Sequence, residues 1–140
     1  ILEPEVKKLA IANPKHAPYG RAAEEALRYY GLWDKVRDKL VFGENISQTA
    51  QFAQTGAADA GIVALSLAIS SKMAKDGTYW IIPEVSHSKL EQAYTVLQRG
   101  KDKPGVKAFL KFVQGEKGKK ILSDYGFVLP EYGNSPPIYR

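Results

Sequence analysis

Residues 6–31 read VKKLAIANPKHAPYGRAAEEALRYYG and contain the transition that decides the fold, a short strand followed at once by a helix. The segment Val6–Ala12 is apolar and ends at Asn13-Pro14, which predicts a buried strand leading into a loop. The residues after the loop form an apolar stripe with helical spacing, made up of Tyr19, Ala23, Ala26, Leu27 and Tyr30. This stripe predicts an amphipathic helix that ends at Gly31.

Strand and helix signals continue to alternate as far as Pro83. The further predicted elements are a helix at Trp33–Leu40, a strand at Leu40–Phe42, a helix from Ile46 to Gly56, a strand at Asp59–Val63, a helix at Leu65–Met73 and a strand at Tyr79–Ile82. Such alternation favours a parallel sheet covered by helices, so we predict an α/β fold. Ligands on sheets of this kind gather where strands end and helices begin.

The pattern changes after Pro83. A polar stretch leads to a strand candidate at Gln92–Leu97, which we interpret as a crossover. Two apolar helical stripes follow, one containing Val106, Phe109, Leu110 and Val113 and the other Ile121, Leu122 and Tyr125. We expect both stripes to need a partner surface. Residues 132–140 show no periodicity and are expected to form a tail.

Composition excludes several classes of protein. The chain has no cysteine, which rules out disulfides and thiolate metal sites, and no apolar window of the roughly 18 to 20 residues that crosses a bilayer. From Arg99 onward the chain has nine Lys and Arg residues and four Asp and Glu residues, so the net charge of +5 comes from this part. No stacking aromatic residues are interleaved with these lysines, so we interpret the lysines as a solvated helix face and expect no nucleic-acid partner.

Catalysis is not expected either, because the chain has two histidines and no recognised catalytic motif. His16 lies on the first loop and is the better candidate for a base, yet we expect its replacement by Ala to leave ligand binding largely intact. The spacing of Glu84, His87 and Glu91 matches no common metal site. We therefore predict that the protein is not an enzyme and needs no cofactor.

The second loop offers an anion site. Asn45 is a good N-cap for the helix that starts at Ile46, and backbone N–H groups in the first turn of a helix have no partner within it. These groups and the positive end of the helix dipole favour a tetrahedral oxyanion. The alternative is that Asn45 caps an ordinary helix, and the residues alone leave both interpretations open.

Three stretches carry a family resemblance: LAIANPKHAPYGRAAEEAL (9–27), GENISQTAQFAQTGAADAGIVALSLAISSK (43–72) and LSDYGFVLPE (122–131). Together they resemble the periplasmic molybdate-binding proteins of bacterial ABC importers, which are type 2 periplasmic binding proteins. The resemblance implies two α/β lobes with the anion between them. By this comparison residues 5–83 form the second, anion-binding lobe, 84–98 the hinge, 99–131 helices of the first lobe and 132–140 the tail, with most of the first lobe missing.

The resemblance also implies a ligand set of neutral donors for molybdate or tungstate. It assigns the phenol of Tyr19 and the backbone N–H of Ile46 to the oxyanion, with Asn45, Ser47 and Gln48 as weaker candidates. Where some relatives have a ligand tyrosine, this chain has Ala64. Either Tyr19 supplies that hydroxyl instead or the lobe lacks one donor.

The expected function is that of the solute-binding component of a molybdate or tungstate ABC importer. Its expected partners are the small oxyanion, the permease in the inner membrane and the missing first-lobe segment, and its expected location is the periplasm. The unpartnered helices also predict oligomers of the fragment. Two alternatives remain open, an anion-sensing domain of a transcriptional regulator and a binding protein for another oxyanion such as sulfate.

Overall fold

The computed structural model describes residues 1–129, which fall into two compact units, Ile1–Ala93 and a second that begins at Tyr94. The predicted tail at 132–140 and the last two residues of the predicted segment 99–131 lie outside the described residues. The division between the units falls within the predicted crossover. Among residues 1–129, no helix is long and apolar enough to cross a bilayer.

The first unit is built on a parallel sheet of three strands. They are β1 (Leu9–Ala12), β2 (Leu40–Gly43) and β3 (Ala60–Gly61), in the order β2-β1-β3. All four residues of β1 are buried because this strand lies in the centre of the sheet. Leu9 pairs with Leu40 on one side and with Ala60 on the other. The predicted α/β fold with a parallel sheet is therefore confirmed.

The helices of the first unit are α1 (Pro18–Tyr29), α2 (Trp33–Val36), α3 (Ile46–Gln54) and α4 (Leu65–Ala68), with 3₁₀ turns at Arg37–Lys39 and Glu84–Ser86. The end of α1 is fixed by Gly31, which has a φ of 64° that favours glycine. The N–H of Gly31 bonds the carbonyl of Arg28 and that of Leu32 bonds the carbonyl of Leu27. These bonds satisfy carbonyls that the helix end leaves unpaired, as the sequence predicted.

A small hydrophobic core joins α1 to the sheet. It consists of Leu9, Ile11, Ala23, Leu27 and Val36, with Leu32, Trp33, Leu40, Ala60 and Ile62 packed around it. Each large aliphatic side chain buried here contributes about 1.5–3 kcal/mol. The core therefore holds the middle and last turns of α1 against β1.

Several predicted elements are shorter than the sequence pattern suggested. The first strand starts at Leu9 rather than Val6, the third has two residues rather than the predicted Asp59–Val63, and α4 ends at Ala68 rather than Met73. The predicted helix Trp33–Leu40 is divided into α2 and a 3₁₀ turn. Short-range patterns located these elements correctly but did not set their ends.

Two predicted strands are wrong: neither Tyr79–Ile82 nor Gln92–Leu97 is a strand in the described part of the chain. Both segments have the apolar residues of a strand, but a strand also needs a neighbour for its backbone hydrogen bonds. Among residues 1–129 no strand pairs with either segment. The Trp80 side chain is 70% exposed, which shows that this segment is not buried in the unit.

The second unit contains a 3₁₀ turn at Gln98–Gly100 and the helices α5 (Pro104–Gln114) and α6 (Glu116–Asp124). These are the two predicted C-terminal helices. Their apolar stripes are partly uncovered, since Phe109 is 65% exposed and Ile121 48% exposed. The lysines of this part lie mostly on the surface, as expected, and Lys120 bonds Asp124 within α6.

Candidate functional site

The candidate site lies at the carboxyl ends of β1 and β2. Ala12 and Gly43 are register partners, so the two strands end at the same level. The N–H of Asn13 then donates to the carbonyl of Gly43 at 2.8 Å, which extends the pairing by one step. The loop 13–17 and the loop 44–45 consequently leave the sheet side by side.

The first loop is closed by its own backbone and by one side chain. The side-chain oxygen of Asn13 accepts a hydrogen bond from the N–H of Lys15 at 3.0 Å. The backbone carbonyl of Asn13 accepts one from the N–H of Ala17 at 2.9 Å. Pro18 then begins α1 at a position where the missing N–H costs nothing. Tyr19 stands in the first turn of α1, where it is half-buried.

Gly20 allows α1 to begin directly on the end of β1. A Cβ at this position would overlap the carbonyl oxygen of Ala12 and lie 2.8 Å from the carbonyl carbon of Asn13. Any larger residue would therefore push the first turn of α1, including Tyr19, away from the sheet.

The second loop contains the predicted N-cap. The side-chain oxygen of Asn45 accepts the backbone N–H of Gln48 at 2.9 Å, so the cap prediction is confirmed. The side-chain oxygen of Gln48 accepts the N–H of Glu44 at 2.7 Å, which closes the loop from the other side. The fully buried Thr49 adds a bond from its hydroxyl to the carbonyl of Asn45. The start of α3 is thus rigidly held.

This capping distributes the candidate donors unequally. Asn45 and Gln48 use their side-chain oxygens inside the cap, and the N–H of Gln48 is taken by Asn45. Within residues 1–129, the N–H groups of Ile46 and Ser47 have no acceptor, and neither does the hydroxyl of Tyr19. The backbone N–H groups of Ile46 and Ser47 and the phenol of Tyr19 are therefore free, in this part of the chain, to donate to a ligand.

A third loop meets the same sheet edge. The N–H of Ile62 donates to the carbonyl of Ala10 at 2.9 Å, which places the segment after β3 beside β1. Ala64 follows it as the buried residue that precedes α4. Its methyl group offers no hydrogen-bond donor, so this third loop contributes no side-chain donor at Ala64.

The structure brings together two side chains that the sequence did not connect. Nε2 of His16 lies 3.1 Å from the carbonyl oxygen of Glu44 and 3.3 Å from its carboxylate. His16 belongs to the first loop and Glu44 to the second. Parallel pairing of β1 and β2 could have predicted that the loops meet, but no sequence signal identifies which side chains touch.

A second unforeseen contact fastens the segment after Ser86 to α1. The carboxylate of Glu25 accepts the N–H of Ser88 at 2.6 Å. This backbone hydrogen bond lowers the pKa of Glu25 below its usual value, because it stabilises the ionised carboxylate. Glu25 is therefore occupied by a structural contact.

Metal ligation by protein side chains finds no support in the part of the chain that the structure describes. No group of three or more His, Cys, Asp or Glu residues there is arranged to hold a metal ion. The candidate site instead consists of neutral donors: a phenol and backbone N–H groups at the start of a capped helix.

A parallel sheet with donor-bearing loops at the carboxyl ends of its strands is the arrangement at which open α/β sheets generally bind ligands. The chain belongs to the family of bacterial extracellular solute-binding proteins, whose family model matches residues 1–128.

Curated relatives within this family have related sequences. The chain is 38% identical over 123 residues to the molybdate-binding protein ModA of Azotobacter vinelandii, with 88% of this chain and 49% of that protein covered. It is 35% identical over 128 residues to ModA of Rhodobacter capsulatus, with 91% of this chain and 50% of that protein covered. The chain thus spans about half the length of these relatives.

Solved structures agree with the sequence comparisons. The periplasmic molybdate-binding protein of Azotobacter vinelandii superposes with a TM-score of 0.80 at 29% identity, covering 92% of this chain and 57% of that one. The substrate-binding domain of a putative molybdenum ABC transporter from Clostridium difficile gives a TM-score of 0.61 at 26% identity, covering 89% of this chain and 54% of that one. The expected resemblance to a periplasmic binding protein is confirmed.

Proposed function

We propose that this chain is the anion-binding lobe of the solute-binding component of an ABC importer for molybdate or tungstate. The observation that carries the proposal is the set of free, neutral donors at one sheet edge, the N–H groups of Ile46 and Ser47 and the hydroxyl of Tyr19. The relatives that this chain resembles at 35–38% identity are molybdate-binding proteins.

The donor chemistry suits a doubly charged tetrahedral anion. The oxygens of such an ion only accept hydrogen bonds, so a binding site for it needs groups that donate hydrogen bonds. The α3 N-terminus supplies two oriented N–H groups and the positive end of a helix dipole. Asn45 and Gln48 hold this terminus in place through their side-chain oxygens, which accept backbone N–H groups of the cap.

The opposite side of the cleft comes, in this proposal, from a segment outside the chain. The relatives are about twice as long as the portion that this chain matches. In our domain assignment residues 5–83 form the second lobe, 84–98 the hinge and 99–131 helices that complete the first lobe. The exposed apolar side chains of α5 and α6, such as Phe109 and Ile121, would then pack against that lobe, and an isolated fragment would self-associate.

The proposed partners follow from this role. A permease in the inner membrane receives the anion, and the protein works in the periplasm or otherwise outside the cytoplasm. Catalysis is not part of the proposal, because the relatives that this chain resembles are named as binding proteins. Neither tungstate nor molybdate is preferred by the donor set.

The test is a calorimetric titration of the full-length protein with molybdate, tungstate, sulfate and phosphate. We expect tight, saturable binding of molybdate and tungstate and binding of sulfate and phosphate that is weaker by at least about 1.4 kcal/mol, or tenfold. Equal affinity for sulfate and molybdate would contradict the assigned ligand. Absence of binding to all four anions would contradict the oxyanion site itself.

A further inference from the structure

Within residues 1–129, His16 forms the only side-chain hydrogen bond or ion pair between the loop that precedes Tyr19 and the loop that precedes Ile46. Its Nε2 lies 3.1 Å from the carbonyl oxygen of Glu44, and the next residue after Glu44 is the N-cap of α3. His16 thus spans the gap between the two proposed sources of anion donors.

We propose that His16 is a positioning residue for the anion site, acting through the carbonyl of Glu44 and without touching the ligand. This inference rests on the proposed function and adds a residue to its machinery. It also revises our sequence-based expectation that replacing His16 leaves ligand binding largely intact. The revision is needed because the sequence could not show that His16 reaches the second loop.

The geometry assigns the bond a direction. A carbonyl oxygen can only accept, so Nε2 of His16 must carry the proton that it donates to Glu44. The bond is sequence-distant, joining residues 28 positions apart, and adds to the backbone bond between Asn13 and Gly43. A single hydrogen bond would allow one loop to rotate against the other. The two hydrogen bonds, at Gly43 and at Glu44, together restrict that rotation.

The contact also has a second effect, on the charge of Glu44, which is separate from positioning through the carbonyl. Glu44 carries a carboxylate with 75% side-chain exposure and lies just before the helix terminus that is proposed to receive a dianion. A like charge that approaches the anion weakens binding. Nε2 of His16 lies 3.3 Å from this carboxylate as well, so the same contact holds the side chain of Glu44 on the His16 side.

The test compares variants of the full-length protein for molybdate affinity by calorimetry and for Tm. We expect His16→Ala to weaken binding about two- to tenfold, the equivalent of one lost hydrogen bond. His16→Gln should restore affinity to within about twofold, because its side-chain amide is also a neutral N–H donor. His87→Ala is the matched control, since the ring of His87 hydrogen-bonds the carbonyl of its own neighbour Ser88 and no residue of the two site loops, and it should bind molybdate normally.

A second background separates loop positioning from simple charge neutralisation. Glu44→Gln removes the carboxylate but keeps the backbone carbonyl, so His16→Ala should still weaken molybdate binding in that background. If the effect of His16→Ala disappears there, or if His16→Gln binds as weakly as His16→Ala, positioning through the carbonyl is wrong. Wild-type affinity in His16→Ala overturns this inference alone, whereas a wild-type protein that does not bind molybdate overturns the proposed function with it.

Discussion

Asp59 and Lys8 exchange hydrogen bonds in both directions. The N–H of Lys8 donates to Oδ2 of Asp59 at 2.8 Å, and the N–H of Asp59 donates to the carbonyl of Lys8 at 3.0 Å. The N–H of Lys7 also donates to Oδ2 of Asp59, at 2.9 Å. This pair sets the level at which β3 meets β1, because Ala60 follows Asp59 and pairs with Leu9. The register of the sheet edge that carries the candidate site therefore depends on a contact at the opposite end of the strands.

We predict that Asp59→Ala lowers the Tm of the protein by a few degrees, because two backbone N–H groups lose their acceptor. Asp59→Asn keeps a carbonyl oxygen in the same place, so it should lower the Tm by less than Asp59→Ala does. Thermal unfolding followed by circular dichroism measures both. Asp38→Ala is the control, since Asp38 is an exposed carboxylate in a 3₁₀ turn. A Tm equal to wild type in Asp59→Ala would contradict the structural role of this contact.

The same contact predicts a dependence of stability on pH. The N–H groups of Lys8 and then Lys7 stabilise the carboxylate of Asp59 and lower its pKa below the usual 3.8. A group whose pKa is lower in the folded state stabilises the fold fully above its unfolded pKa and loses this contribution as the pH falls through its folded pKa. Urea unfolding measures the free energy of unfolding of wild type and of Asp59→Asn. The difference between the two should be constant above pH 3.8 and should shrink as the pH falls below that value. A difference that grows on acidification would refute the assignment.

The Lys8 contact also shows why sequence located the first strand without finding its start. Apolar residues predicted a strand from Val6, but the N–H groups of Lys7 and Lys8 bond a side chain, so the strand begins at Leu9. Local signals performed better at helix ends. The cap at Asn45 and the glycine stop at Gly31 depend on neighbouring residues only, and both were predicted.

Sequence reasoning failed where the structure depends on distant partners. Tyr79–Ile82 has strand-forming residues but no neighbouring strand within residues 1–129. The His16–Glu44 contact joins two exposed side chains whose sequence context gives no hint of a pairing. The roles of Tyr19 and Ile46 in binding came from family resemblance and from helix-terminus chemistry, and they stay predictions.

Asn45 offers a way to separate stability from anion binding. We predict that Asn45→Ala destabilises the protein by about 1 kcal/mol, because the N–H of Gln48 loses its capping oxygen. Asn45→Asp should retain most of the stability, since Asp caps helices about as well as Asn. The new negative charge beside the N–H groups of Ile46 and Ser47 should nevertheless weaken molybdate binding. Denaturant unfolding and calorimetry measure the two effects, and wild-type affinity in Asn45→Asp would place the anion elsewhere.

Gly20 tests the close contact of α1 with β1. We predict that Gly20→Ala destabilises the protein by about 1–3 kcal/mol, because its Cβ would overlap backbone atoms of Ala12 that cannot rotate away. Gly77→Ala in the same unit is the control, since a Cβ there meets no atom within 4 Å. Denaturant unfolding compares the two variants. Equal stabilities would mean that α1 does not need to approach the strand so closely.

Tyr19 gives the most direct test of the ligand set. Its hydroxyl has no hydrogen-bond partner within residues 1–129, so Tyr19→Phe should leave the Tm unchanged while keeping the half-buried ring. If the phenol donates to a buried oxyanion, its loss leaves one anion oxygen short of a partner and weakens molybdate binding by about 1–3 kcal/mol. Tyr29→Phe on the same helix is the control, because Tyr29 is exposed at the far end of α1. Calorimetry on both variants decides the question: unchanged affinity in Tyr19→Phe removes Tyr19 from the site and leaves the α3 terminus as the donor on this side of the cleft.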